Sequence, residues 1–257
     1  MPTQWIPDTT PQGLVDLTRS LGEPARDLVI LAEGNTSQRL DAEHIAVKTS
    51  GSNMATATAM DFVVVNVAEI VAIVDNPGTT QDDLTRALDA GVIDGRRRRG
   101  SIETIIHAAV QAVGQAEFVG HTHPTDVVGL LASVHAATAW DDFVYSDEAV
   151  VIGKPLYVPY AQPGISLGRL FLRELRTYAD REGTLPQLIL LGNHGIVAIA
   201  PTAAGAEGIS AMAVKGARVR ASAYAAGGVT PLPTESVKSF FARDDIRERR
   251  TNLTQGR

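Results

Sequence analysis

The sequence predicts a single α/β domain, a three-layer sandwich with a largely antiparallel central β-sheet flanked by helices. Three observations predict it. Short valine- and leucine-rich runs, such as DFVVVNV (61–67), alternate with longer segments whose apolar residues recur at helical spacing. In LPQLILLGNHGIVAIAP (185–201), Gly192-Asn193 separates two apolar halves, a hairpin signal that implies antiparallel neighbours. No internal repeat or composition shift divides the 257 residues, and 44% hydrophobic content suffices for one large core.

In chain order, Thr9-Thr10-Pro11 opens a helix over about 11–22, with Pro11 at its first position and an apolar stripe of Leu14, Val15, Leu17 and Leu21. A polar stretch, 32–38, follows. Residues 44–48 and 61–67 read as strands. The span 75–100 is polar and glycine-bearing, and reads as a long loop or flap with a short helix at 80–89. Ile102, Ile105, Ile106, Ala109 and Val113 then set a helical rhythm that Gly114 closes. Residues 117–123 read as a strand stopped by Pro124, and 125–133 as a helix. Residues 150–160 read as a strand, 166–181 as a helix, and 202–226 as an alanine-rich helix. Pro231-Leu232-Pro233 precedes a charged helix over about 234–250.

The net charge of −6 argues against a nucleic-acid partner, which favours a basic surface. The run Arg96-Arg97-Arg98-Arg99 reads first as a solvated loop, with contact to an anionic substrate as the weaker reading. With no cysteine, any metal must rest on nitrogen and oxygen ligands. The first residues carry no secretory pattern, and no apolar run is long enough to span a bilayer. The expectation is a soluble, cytoplasmic protein without a membrane partner.

Candidate chemistry centres on His121 and His123. Residues i and i+2 of a strand face one side, so both imidazoles can reach one divalent ion. A catalytic zinc needs a third ligand, and His194, just past the hairpin turn, is the candidate. A His-x-His pair can equally be held by hydrogen bonds alone, and the spacing leaves both readings open. His44, His107 and His135 read as structural or surface residues. Glu103 stands in the first turn of the helix that leads into the His-x-His strand. It can approach the ion or simply favour the helix dipole. Ser101 at the same helix start, Gly34-Asn35-Thr36-Ser37 and Thr49-Ser50-Gly51 have the small polar character of anion cradles, which ordinary turns share.

The order of these motifs resembles the class II aldolase/adducin family over residues 33–206: Gly-Asn-x-Ser, Ser-Gly, Ser-x-Glu opening a helix, His-x-His-Pro, then Asn-His-Gly. GNTS, VKTSG, SIETIIHA, HTHP and VPYAQPG are most similar to rhamnulose-1-phosphate aldolase-like domains, as found in bifunctional aldolase–dehydrogenases. At 257 residues, the chain is expected not to carry the added dehydrogenase domain. The resemblance implies a metal-dependent lyase cleaving a ketose 1-phosphate to dihydroxyacetone phosphate and an aldehyde. It also admits 4-epimerase, decarboxylase, dehydratase and non-enzymatic adducin-like roles. By resemblance, His121, His123 and His194 bind Zn2+ or another divalent cation, and Glu103 is the acid/base carboxylate. Gly34, Asn35, Ser50, Gly51 and Ser101 bind phosphate, and Tyr145 is an aromatic proton donor reaching a neighbouring subunit of a homotetramer. Two positions depart from the family pattern: Gly100 replaces a proline, and Ile102 replaces a second phosphate-binding serine.

Overall fold

The computed structural model describes residues 3–255. Helix α1 (Gln12–Leu21) buries Leu14, Val15, Leu17 and Leu21; Pro11 precedes its first turn rather than occupying it. The polar stretch that follows is a strand, β1 (Asn35–Arg39). Apart from Thr36 its residues have little strand preference, but pairing on both edges overrides that. Strands β2 (His44–Lys48) and β3 (Phe62–Asn66) follow. Helix α2 (Val67–Asp75) begins at the end of the valine run, where the Asn66 side chain accepts from the Glu69 amide.

The expected flap is ordered. Helix α3 (Gln81–Ala87) starts on a Thr80/Asp83 capping box. Strands β4 (Asp89–Ile93) and β5 (Arg96–Arg99) then form a two-stranded hairpin. Its turn is Asp94-Gly95, both at positive φ (51° and 73°), an Asp-Gly hairpin signal that the polar composition masked. The four arginines are therefore a strand, not a loop.

Helix α4 (Thr104–Gly114), strand β6 (Phe118–Thr122) and helix α5 (Thr125–Leu131) match the expected order. Residues 150–160 do not form one strand. Their first part belongs to helix α6 (Ser146–Ile152), which Gly153 ends at φ 63°, and only β7 (Leu156–Val158) is extended. Val150 and Ile152 are buried among helices, a burial that short apolar runs share with strands. Helix α7 (Ile165–Glu182), strands β8 (Leu188–Leu191) and β9 (Gly195–Ala200), and helix α8 (Ala203–Ala225) follow. The charged C-terminal helix is two pieces, α9 (Thr234–Phe241) and α10 (Asp244–Gln255).

Seven strands form one sheet in the order β3-β2-β1-β6-β9-β8-β7, antiparallel throughout except for the β7–β8 edge. Alternation divides the side chains between two cores. Val119, Val197, Ile199, Ile189 and Leu191 face α2, α4 and α7, while Phe118, Ile196, Ala198, Leu188 and Leu190 face α1, α5, α6 and α8. The result is the three-layer arrangement expected. No helix among the described residues is long and apolar enough to cross a membrane.

Candidate active site

Register places the first two groups. Asn35 on β1 stands directly opposite His121 on β6, and Val197 on β9 flanks His121 from the other side. His121 is fully buried, and its Nδ1 donates to the Ile196 carbonyl at 2.8 Å. That bond fixes the tautomer, leaving the lone pair on Nε2. His123, just beyond β6, brings its Nε2 to 2.9 Å from His121 Nε2.

His194 lies within the β8–β9 turn rather than past it. Asn193 takes φ 53° there. At Gly195, a Cβ would meet the Thr122 carbonyl oxygen at 2.4 Å and His123 Cδ2 at 2.7 Å. Glycine therefore lets this turn press His194 onto the other two rings, and the three ring centroids lie 4.7, 4.9 and 5.0 Å apart. Glu103, at the start of α4, completes the cluster. Its Oε1 is 2.8 Å from His194 Nε2 and its Oε2 is 3.2 Å from His121 Nε2. One ligand atom from each of the four residues lies within 4.8 Å of all the others.

This donor set fits a divalent cation. A lone pair on His121 Nε2 faces a second imidazole nitrogen and a carboxylate, so acceptors converge on one point without enough protons to link them. His194 Nδ1 is buried without a hydrogen-bond partner among the described residues. Three imidazoles and a carboxylate, with no thiolate, suit a borderline or hard divalent ion.

The electrostatics agree. Burial, the largest influence on Glu103, raises its pKa. The adjacent His121 and His194 outweigh it and hold the carboxyl well below the usual carboxylate range. Burial lowers the pKa of His121, yet the negative charge of Glu103 prevails and raises it. His123 is pushed down to about 3, first by burial and then by His121. Glu103 is thus ionised, and cationic charge is favoured beside it.

A second group of residues holds Glu103 in place. The Ser37 hydroxyl donates to His107 Nδ1 (2.7 Å), His107 Nε2 donates to Asn35 Oδ1 (2.5 Å), and Asn35 Nδ2 donates to Glu103 Oε2 (2.8 Å) and Ser101 Oγ (3.0 Å). Burial pushes His107 down to about 3, so it stays neutral and the chain of donors runs one way. His107 is structural, as expected, but its partner Asn35 is also the hydrogen-bond donor to Glu103. Helical spacing of Glu103 and His107, and strand spacing of Asn35 and Ser37, could have signalled this group. Glu33 was also missed; its Oε2 lies 3.6 Å from His123 Nδ1. Of the other two histidines, His44 contacts exposed Asp41 and His135 stacks on Tyr224.

The anion elements are less uniform. Gly34 at φ 69° allows no side chain, since a Cβ would sit 2.9 Å from the His121 carbonyl oxygen. Asn35 is committed to the Glu103 network. The backbone amides of Ser50 and Ser101 donate to the Arg99 and Lys48 carbonyls, so these residues offer hydroxyls rather than an amide nest. Gly51 is exposed at φ 81°. Lys48 is buried, and burial brings its pKa down to about 8 against the opposing pull of Asp61 and Glu103. Tyr145 lies outside its own chain's cluster, with its hydroxyl 2.6 Å from Met212 Sδ. A cleft of about 420 Å³ opens beside His123 and His194, lined also by Asp27, Glu33 and Thr125. A larger groove, about 1070 Å³, lies at the far end of β6 around Arg39 and Glu117 and touches none of the cluster.

Comparison with known proteins agrees with this fold. Residues 12–220 match the profile of the Class II Aldolase and Adducin N-terminal domain. A curated relative, Uncharacterized oxidoreductase YuxG of Bacillus subtilis (strain 168), is 26% identical over 172 residues, 64% of this chain; the chain spans about a quarter (23%) of that protein's length. Among solved structures, YgbL of Klebsiella pneumoniae superposes with a TM-score of 0.64 at 19% identity, covering 88% of this chain and 94% of its own. An L-fuculose 1-phosphate aldolase gives a TM-score of 0.63 at 20% identity, covering 89% and 92%. At these identities the likeness concerns the fold.

Proposed function

Because the chain belongs to the class II aldolase and adducin N-terminal domain family, we propose that it is a metal-dependent carbon–carbon lyase. Its substrate is a ketose 1-phosphate, cleaved to dihydroxyacetone phosphate and an aldehyde. The observation that carries this reading is the convergence of His121, His123 and His194 on the Glu103 carboxylate. Those residues would hold the cation, zinc in our reading, which when bound supplies Lewis-acid polarisation of substrate oxygens.

The chain's own groups do the rest. Glu103 is ionised and held by Asn35, so it is placed to accept a proton and return it. Three neutral imidazoles offset none of the cation's charge, which leaves Glu103 as the one anionic group of the cluster. Ser50, Gly51 and Ser101 border the position for the phosphate. In a homotetramer, Tyr145 of one copy would serve the site of its neighbour. Burial pushes this phenol up to about 12, followed by the charges of Glu148 and Asp147, so it stays protonated at neutral pH, as a proton donor must.

The test is a screen of ketose 1-phosphates for release of dihydroxyacetone phosphate, run beside assays for carbon dioxide and for epimers. Dihydroxyacetone phosphate from one substrate supports the reading. Carbon dioxide or epimer alone replaces it with a decarboxylase or epimerase on the same residues. No product with metal bound removes it.

A further inference from the structure

Four side chains share one face of the short bridge that joins the end of β2 to the end of β5. Thr49 pairs antiparallel with Gly100. Around that pair, the Ser50 amide donates to the Arg99 carbonyl (2.9 Å) and the Ser101 amide to the Lys48 carbonyl (3.1 Å). This register sets Arg99 opposite Ser50 and Lys48 opposite Ser101. Alternate residues of a paired strand share a face, so Lys48, Ser50, Arg99 and Ser101 lie on the same one. Opposed residues in such pairs have Cβ atoms about 4.5–5.5 Å apart. Ser101, at one end of this face, reaches the cluster: its Oγ and Glu103 Oε2 share the Asn35 amide as donor. The face runs from the interior to the surface: Lys48 and Ser101 are buried, Arg99 is half-buried and Ser50 is exposed.

Lys48 Nζ donates to the Thr49 carbonyl at 3.2 Å, while the other three side chains on this face have no acceptor among the described residues. Ser101 Oγ already accepts from Asn35 Nδ2 (3.0 Å) and from the Glu103 amide (3.3 Å), which leaves its proton to donate outward. The four arginines of β5 are not equivalent. Arg97 is paired with Asp89 at 2.7 Å. Arg98 donates to the Met60 carbonyl at 3.0 Å and lies over the Trp5 ring. Arg96 is exposed next to the hairpin turn. Arg99 alone of the four is half-buried with no side-chain hydrogen bond or ion pair among the described residues. A partly desolvated guanidinium without a partner suits an anion that arrives with the substrate.

We propose that Arg99 is a guanidinium ligand for the anionic group of the substrate, a phosphate or a carboxylate, held together with the hydroxyls of Ser50 and Ser101. This deepens the lyase reading and rests on it for the word substrate. The anion site itself can be tested without turnover.

The experiment titrates the purified full-length protein, with its bound metal, with inorganic phosphate and separately with glycolate, read by calorimetry. Arg99→Gln is expected to weaken anion binding about 10- to 100-fold, the loss of a charge-assisted hydrogen bond. Arg99→Lys should recover part of it, since it keeps the charge but not the planar fork. Arg96→Gln should change affinity less than about twofold, as an exposed charge near the turn. Phosphate binding without glycolate binding assigns a phosphate ester, and the reverse assigns a carboxylic acid. The proposal is overturned by wild-type affinity in folded Arg99→Gln or Arg99→Ala protein. It is also overturned by equal weakening in Arg96→Gln, or by failure of either anion to bind the wild type. Arg99-dependent binding in a protein that cleaves no sugar keeps the anion site and removes the lyase. Cleavage with unchanged KM in Arg99→Gln does the opposite.

Discussion

Asn35→Ala perturbs the point at which the buried polar network meets the Glu103 carboxylate. The Asn35 side chain is 1% exposed and makes three hydrogen bonds: it accepts from His107 Nε2, and it donates to Glu103 Oε2 and Ser101 Oγ. Removal leaves the fully buried His107 Nε2 proton without an acceptor, a desolvation cost of about 1–3 kcal/mol. The carboxylate also loses a donor, a bond of the charged class worth about 1.5–3 kcal/mol. Neighbours in one network do not add fully, so the expected loss is about 3 kcal/mol. With a urea slope of about 3 kcal/mol/M, the unfolding midpoint should fall by about 1 M. The assay is urea unfolding of the wild type, Asn35→Ala, His107→Ala and the double variant. The double variant should be little worse than Asn35→Ala, because each single change already breaks the shared bond. A midpoint shift below about 0.3 M, or full additivity, would refute a coupled network.

Glu103→Gln should retain its metal while turnover drops by about 10²- to 10⁴-fold, the usual contribution of a positioned acid/base; unchanged turnover would remove Glu103 from proton transfer. Acid should destabilise the metal-free protein. His107 and His123 stand at about 3 in the fold against about 6.5 unfolded, so the unfolded chain takes up their protons first. Their effect is flat above about pH 6.5, and below it each removes up to about 1.4 kcal/mol per pH unit until their folded values are reached. His121, raised in the fold, acts in the other sense: its contribution is present below the unfolded value and is lost as pH rises through the folded one. Urea midpoints at neutral and mildly acid pH measure the balance, and His107→Gln should flatten the acid limb; an unchanged slope would mean that His107 is not buried neutral.

The sheet and its antiparallel character were legible because apolar runs and the Gly192-Asn193 signal are local. The three histidines and Glu103 were legible by residue type and by family resemblance, and the structure brings all four together. What escaped was set by tertiary pairing. Strand β1 is polar because its residues serve the site rather than a core, so periodicity could not reveal it. The β4–β5 hairpin carries arginines where strands usually carry valine, which hid it behind its charge. Residues 150–152 are apolar on a helix buried among other helices, a pattern that short runs do not separate from strand. Asn35 read as a phosphate ligand, yet its amide is taken up by Glu103, Ser101 and His107. No spacing rule shows which of two uses a buried amide serves.

The central claim is that the imidazoles of His121 on β6, His123 just beyond it and His194 in the β8–β9 turn hold one cation beside Glu103. Equilibrium dialysis of the metal-free protein against Zn2+, followed by elemental analysis, tests it most directly. The account predicts about one ion per chain, lost in folded His121→Ala and His194→Ala variants. No uptake by the wild type, or equal uptake when the histidines are replaced, would contradict it.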